Sequence, residues 1–172
     1  SDVCSSDLRS PAGSHLIVSA TEHRAVLDPA KRLEREGYAL TVLPVDREGR
    51  IEPQQIADAL RPETVLVSVM FANNEVGTIQ PVAEIGEICR RRNVLFHCDA
   101  AQAVGRIPVE LDRLPIDLLS VTAHKLYGPQ GIGAIVIRRD SAPVRIVPLF
   151  DGGGHEQGLR SGTLPLPLIV EI

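Results

Sequence analysis

The sequence predicts a three-layer α/β/α fold built on a mostly parallel, mixed sheet. Three observations lead there. Short β-rich runs alternate with segments of helical apolar spacing. Residues 65–71 (VLVSVMF) form a continuous apolar run, as in a strand covered by helices on both faces. The composition is ordinary for a globular chain, 44% hydrophobic and 23% charged over 172 residues, about one domain in length.

Taken in order, residues 15–20 (HLIVSA) read as a strand. Residues 22–36 read as a helix with Ala25, Val26, Ala30 and Leu33 on its apolar face and Gly37 as the stop; Pro29 predicts an irregular first turn. Residues 39–45 are a strand, 46–49 (DREG) a turn, and 53–60 a short helix. Residues 65–71 are the apolar strand. Residues 81–92 form a helix that begins with a proline. Residues 94–97 lead as a strand into Cys98-Asp99-Ala100, and 117–121 lead as a strand into Thr122-Ala123-His124-Lys125. Residues 133–137 (GAIVI) are the last strand, followed by a glycine-rich stretch at 152–162.

Composition also excludes function classes. Acidic residues outnumber basic ones 22 to 18 and no basic stripe is present, so neither nucleic acid nor an anionic membrane is an expected partner. No apolar run approaches the ~20 residues that span a bilayer. The three cysteines cannot all pair and none lies in a Cys-x-x-Cys, which argues against a disulfide framework and a zinc knuckle. A soluble, cytoplasmic protein is expected.

In open α/β sheets, ligands collect at loops leaving the carboxyl ends of strands. Here those loops are residues 19–23, 72–77, 99–102 and 122–125, and each carries polar groups. Lys125 sits on a constrained turn; a buried lysine there forms Schiff bases with aldehydes, and the alternative is a surface lysine. Asp99 is either the carboxylate partner of a cationic ring nitrogen or the cap of a helix start at Ala100-Ala101. Thr122 and His124 alternate along an extended segment and could face one anion, with Gln102 near enough to share the ligand. His23 could stack on a ring or move a proton, although an isolated histidine more commonly has a structural role. In the polar loop of Asn73, Asn74 and Glu75, plain turn chemistry is the competing explanation.

Five blocks together resemble a known family: TEHRAVL (21–27), ANNEVGTIQP (72–81), HCDAAQAVG (97–105), TAHKLYGPQGIGA (122–134) and GGGHEQGLRSGT (152–163). Their order and content resemble the NifS/IscS-like cysteine desulfurases. These are class V aminotransferase relatives among the fold-type I enzymes that use pyridoxal 5'-phosphate (PLP). The resemblance implies that Lys125 binds PLP covalently, Asp99 pairs with its ring nitrogen, and Gln102 bonds its phenolic oxygen. His23 would stack on the ring and transfer protons, and Asn74 would lie beside cofactor and substrate carboxylate. Thr122 and His124 would bind the phosphate. Thr163 would reach the phosphate of a neighbouring subunit, which implies a homodimer. The implied reaction converts L-cysteine to L-alanine, with sulfur passed to an enzyme cysteine as a persulfide and on to an acceptor or scaffold protein.

The same resemblance predicts that residues 9–172 are part of a PLP-binding large domain. The family's N-terminal segment and C-terminal small domain, with the nucleophilic cysteine, are not among them, and a fragment of this kind is expected to be inactive alone. Cys89 and Cys98 match no persulfide position. Residues 1–8 (SDVCSSDL) back-translate to a common sequencing-library adapter and are expected to be non-native. Two other readings are a different class V enzyme, such as a selenocysteine lyase, and a non-catalytic α/β binding module.

Overall fold

The computed structural model describes residues 13–139, 144, 146–148 and 150–170. The adapter-like octapeptide, with Cys4, lies outside the described residues. The chain runs β1 (His15–Ser19), α1 (Arg24–Arg35), β2 (Ala39–Leu43), α2 (Pro53–Ala59), β3 (Thr64–Ser68), α3 (Val82–Arg91), β4 (Leu95–Asp99), β5 (Leu118–Thr122) and β6 (Gly133–Ile137), with a short α4 (Leu166–Ile169) near its end. The sheet order is β2-β1-β3-β4-β5-β6. The first five strands are parallel, and β6 pairs antiparallel with β5. The predicted layered, mostly parallel mixed sheet is the observed one.

Alternation within the strands separates the two faces. Val18 packs with Val26 and Ala30 of α1 on one side. Ile17, Val67, Phe96 and Leu119 form the larger core with Ile56 of α2 and Ile85 of α3 on the other. The helices therefore lie on both faces, and the interior of β3 and β4 is apolar almost throughout.

Helix α1 starts two residues later than the apolar pattern predicts. The His23 side chain caps it, Nδ1 accepting from Ala25 N at 3.1 Å. Arg32 and Arg35 occupy its last turn, where positive charge complements the helix dipole. Pro29 lies well inside the helix, which continues through it rather than breaking in its first turn. Proline removes a single donor, and the buried stripe Val26–Ala30–Leu33 on either side keeps the helix against the sheet. The apolar run at 65–71 leaves the regular strand at Ser68, yet Val69 N and Phe71 N still donate to His97 O and Asp99 O at 3.2 and 2.8 Å. That extension carries Met70 to the mouth of the sheet.

The parallel strands β1, β3, β4 and β5 release their loops at one end. At that end β5 and β6 are drawn close. Gly133 pairs with Thr122, and a Cβ at Gly133 would lie 2.6 Å from Val121 O. Among the described residues no helix is long and apolar enough to cross a membrane.

Candidate functional site

A cleft of about 210 Å³ opens at the carboxyl ends of β1, β3, β4 and β5. It is lined by His23, Asn74, Asp99, Gln102, Thr122, His124 and Lys125. The four loops marked in the sequence therefore converge. Thr163 does not join them. It lines a separate concavity of about 500 Å³ with Phe150, His155 and Arg160.

Each side chain is placed by its local structure. Asn73 makes the turn: its Oδ1 accepts from Glu75 N at 2.8 Å and Val76 N at 2.9 Å. Its Nδ2 donates to Thr21 O at 3.2 Å, joining this loop to the one after β1. Turn chemistry is thus Asn73's role, and the exposed Asn74 is the residue delivered to the cleft. Asp99 ends β4, and its Oδ1 accepts from Ala101 N at 2.9 Å, so it caps a turn, where the sequence suggested a helix start, and lines the cleft at once. The two alternatives raised by the sequence are compatible, because a carboxylate has two oxygens.

Thr122 Oγ1 and His124 Nδ1 lie 2.9 Å apart, a pre-formed hydroxyl–imidazole pair. Between them Ala123 is buried and starts a 3-10 turn that ends at Lys125. Gln102 is less free than expected. Its Oε1 accepts from Arg106, which also approaches Lys125 O at 3.5 Å. Arg106 thereby ties the turn after β4 to the turn after β5. Gly105 permits this packing: its φ is +78°, and a Cβ there would lie 2.8 Å from Leu126 Cδ2.

Sequence reasoning missed the cleft floor. Met70, His97 and Ser120 also line it. His97 is 1% exposed and bridges Ser68 Oγ at 2.8 Å and Ser120 Oγ at 3.2 Å. Burial pushes its pKa down to about 4, so the ring is neutral. The signal was present in the strands: Ser68 and Met70, His97 and Asp99, and Ser120 and Thr122 are two residues apart and share a face. The sequence pattern makes Glu22 the first helical residue. It lies in the loop instead, 5% exposed, with Oε1 accepting from Met70 N.

The two described cysteines are unlike nucleophiles. Both Cys89 and Cys98 are free and buried. Burial raises the Cys89 thiol to about 12 and the Cys98 thiol well above its ordinary value. No group of three or more His, Cys, Asp or Glu able to hold a metal occurs among the described residues.

Comparison with known proteins follows this geometry. The profile of the family described as aminotransferase class-V matches residues 5–165. The chain is 53% identical over 158 residues to the cysteine desulfurase IscS of Anaeromyxobacter dehalogenans, covering 92% of this chain and 39% of that protein. It is 54% identical over 156 residues to a cysteine desulfurase of Mus musculus, covering 91% of this chain and 34% of that one. The solved structure of SspA in complex with cysteine superposes with a TM-score of 0.89 at 43% identity, covering 94% of this chain and 46% of that chain. The chain thus spans less than half the length of each of these relatives.

Proposed function

The chain belongs to the aminotransferase class V family, and on that premise we propose that it is the cofactor-binding part of a PLP-dependent cysteine desulfurase. Residues 9–172 are then a portion of the large domain. The observation that carries the reading is the convergence of Lys125, Asp99, Gln102, His23, Asn74, Thr122 and His124 on one cleft.

The donor set fits PLP. An amine, a carboxylate, an amide and a hydroxyl–imidazole pair match an aldehyde, a ring nitrogen, a phenolic oxygen and a phosphate. Bound PLP supplies an aldehyde that condenses with amines and a ring that accepts electrons from a carbanion. The chain's own residues do the rest. Lys125 Nζ anchors the cofactor. Asp99 keeps a proton on the ring nitrogen, while Thr122 and His124 bind the phosphate. His23 covers the ring and moves a proton; its Nδ1 is committed to Ala25 N, so Nε2 is the nitrogen available. Gln102 bonds the phenolic oxygen, for which its Nε2 remains after Oε1 has engaged Arg106. Asn74 stands at the substrate carboxylate.

The substrate on this reading is L-cysteine, released as L-alanine after its sulfur passes to a cysteine thiolate of the whole enzyme. Burial and raised pKa values fit neither Cys89 nor Cys98 for that thiolate. An acceptor or scaffold protein takes the sulfur onward. Thr163 lies in its own concavity, and the reading assigns it to the phosphate of a second subunit in a homodimer. Free, unpaired thiols suit a cytoplasmic setting.

The test uses the lysine content. The sequence has two lysines, Lys31 and Lys125. Lys31 lies on the exposed face of α1. Incubation with PLP, borohydride reduction and peptide mapping should place the pyridoxyl group on Lys125. Equal labelling of Lys31 and Lys125 would overturn the assignment.

A further inference from the structure

Glu22 is a buried acid to which the reading above gives no task. It follows β1 and immediately precedes His23. Its Oε1 accepts from Met70 N, across 48 residues of sequence, and its Oε2 is buried without a hydrogen-bond partner. Met70 and His23 both line the cleft. A second tie runs parallel to the first, from Asn73 Nδ2 to Thr21 O at 3.2 Å. The β1–α1 loop and the segment leaving β3 are thus joined twice, between the residues that carry His23 and Asn74.

We propose that Glu22 is a positioning residue: a buried side chain whose bond to Met70 N holds the His23 loop against the end of β3. The proposal rests on the PLP reading and extends it to a residue that does not line the cleft. Its physical basis is the cost of the alternative. An ionised carboxylate, buried with one oxygen unpartnered, carries a desolvation penalty that a single backbone donor does not offset. Of the groups facing it, Asp99 on β4 repels its charge and the buried thiol of Cys98 on β4 offers no compensating one, whereas the Met70 N–H, just beyond β3, favours the charge. Burial is the largest cause and raises the Glu22 pKa to about 8, with the Met70 bond opposing it and Asp99 reinforcing it. Glu22 is therefore protonated at neutral pH. When it does ionise, the carboxylate must reach water, and the loop that moves with it carries His23.

The test has two readouts. In the 172-residue chain labelled with 13C at glutamate carboxyls, one signal should titrate near pH 8 and vanish in Glu22→Gln. If every glutamate titrates in the ordinary range, the proposal is overturned, whether or not PLP binds. The second readout is PLP affinity from pH 6.5 to 9 in the wild type and in Glu22→Gln, which keeps an acceptor for Met70 N–H and cannot ionise. Affinities should match at pH 6.5 and differ about tenfold at pH 9 in favour of Glu22→Gln, since roughly one wild-type molecule in ten is then protonated. Parallel pH profiles would overturn the positioning role. Absence of trapping at Lys125 with a normal Glu22 titration would instead defeat the PLP reading alone.

Discussion

The two ends of the sheet use one device for two purposes. Near the amino ends of the strands, His15 is buried between Thr64 Oγ1 and Thr41 Oγ1, each at 2.8 Å. Near the carboxyl ends, His97 is equally buried between Ser68 Oγ and Ser120 Oγ. Each imidazole staples three adjacent strands: β2-β1-β3 in one case and β3-β4-β5 in the other. Burial lowers both pKa values. The difference lies in what stands above them. His15 is enclosed by strand residues, whereas His97 lines the cleft and shares a face with Asp99. A buried histidine is thus a strand fastener at either end, and of the two His97 is the one that lines the cleft.

The largest expected effect separates the cleft from the rest of the surface. Lys125→Ala should abolish borohydride-trapped pyridoxyl label, read by intact mass, while Lys31→Ala should leave it unchanged. Next, Gly133→Val pushes a side chain against Val121 O beside Thr122. It should cost about 3 kcal/mol in urea unfolding and weaken PLP binding as well. The paired substitutions His15→Leu and His97→Leu sharpen the comparison directly. Each should cost about 2 kcal/mol by leaving buried hydroxyls short of a partner. PLP affinity should fall only in His97→Leu. Equal losses of affinity would break the distinction between the two ends.

Taken one pH unit at a time, the shallowest signals are in the pH dependence of stability. His97 binds its proton more weakly when folded, so its contribution is present above pH 6.5 and is lost as pH falls towards 4. Glu22 binds its proton more tightly when folded, so its contribution is present below pH 4.5 and is lost as pH rises towards 8. Each limb has a slope of at most about 1.4 kcal/mol per pH unit. His97→Leu should flatten the acid limb and Glu22→Gln the alkaline one in urea midpoints measured from pH 4 to 9.

Much of the fold was legible because the signals are local. Strands β1, β3 and β6 follow from runs of apolar residues, and α1 from Val26, Ala30 and Leu33 at helical spacing. The four strand-end loops could be read because the layered pattern fixes which end of each strand is open. Glu22 could not be read this way. The donor that it meets, Met70 N, lies 48 residues along the chain, and nothing in TEHR distinguishes a buried loop acid from the first residue of a helix. The commitment of Gln102 to Arg106 and the separate place of Thr163 are likewise outcomes of packing rather than pattern. The cleft floor lies between these cases. Alternation in β4 and β5 already puts His97 and Ser120 beneath Asp99 and Thr122, but their apolar neighbours in each strand give the runs the pattern of a buried core.

Strand β6 has a further consequence. It pairs with β5 on one side and, among the described residues, ends the sheet on the other. Among the described residues no strand pairs with its alternate N–H and C=O groups on that side, an arrangement that can template another extended chain, and Val136 beside them is 41% exposed. Such an edge makes the chain's behaviour a matter of concentration as well as of fold. Dilution favours the isolated sheet, and crowding favours strands added in register from whatever polypeptide is at hand. A charged residue at Val136, which leaves the cleft on the opposite side of β5 untouched, should shift that balance towards the monodisperse chain.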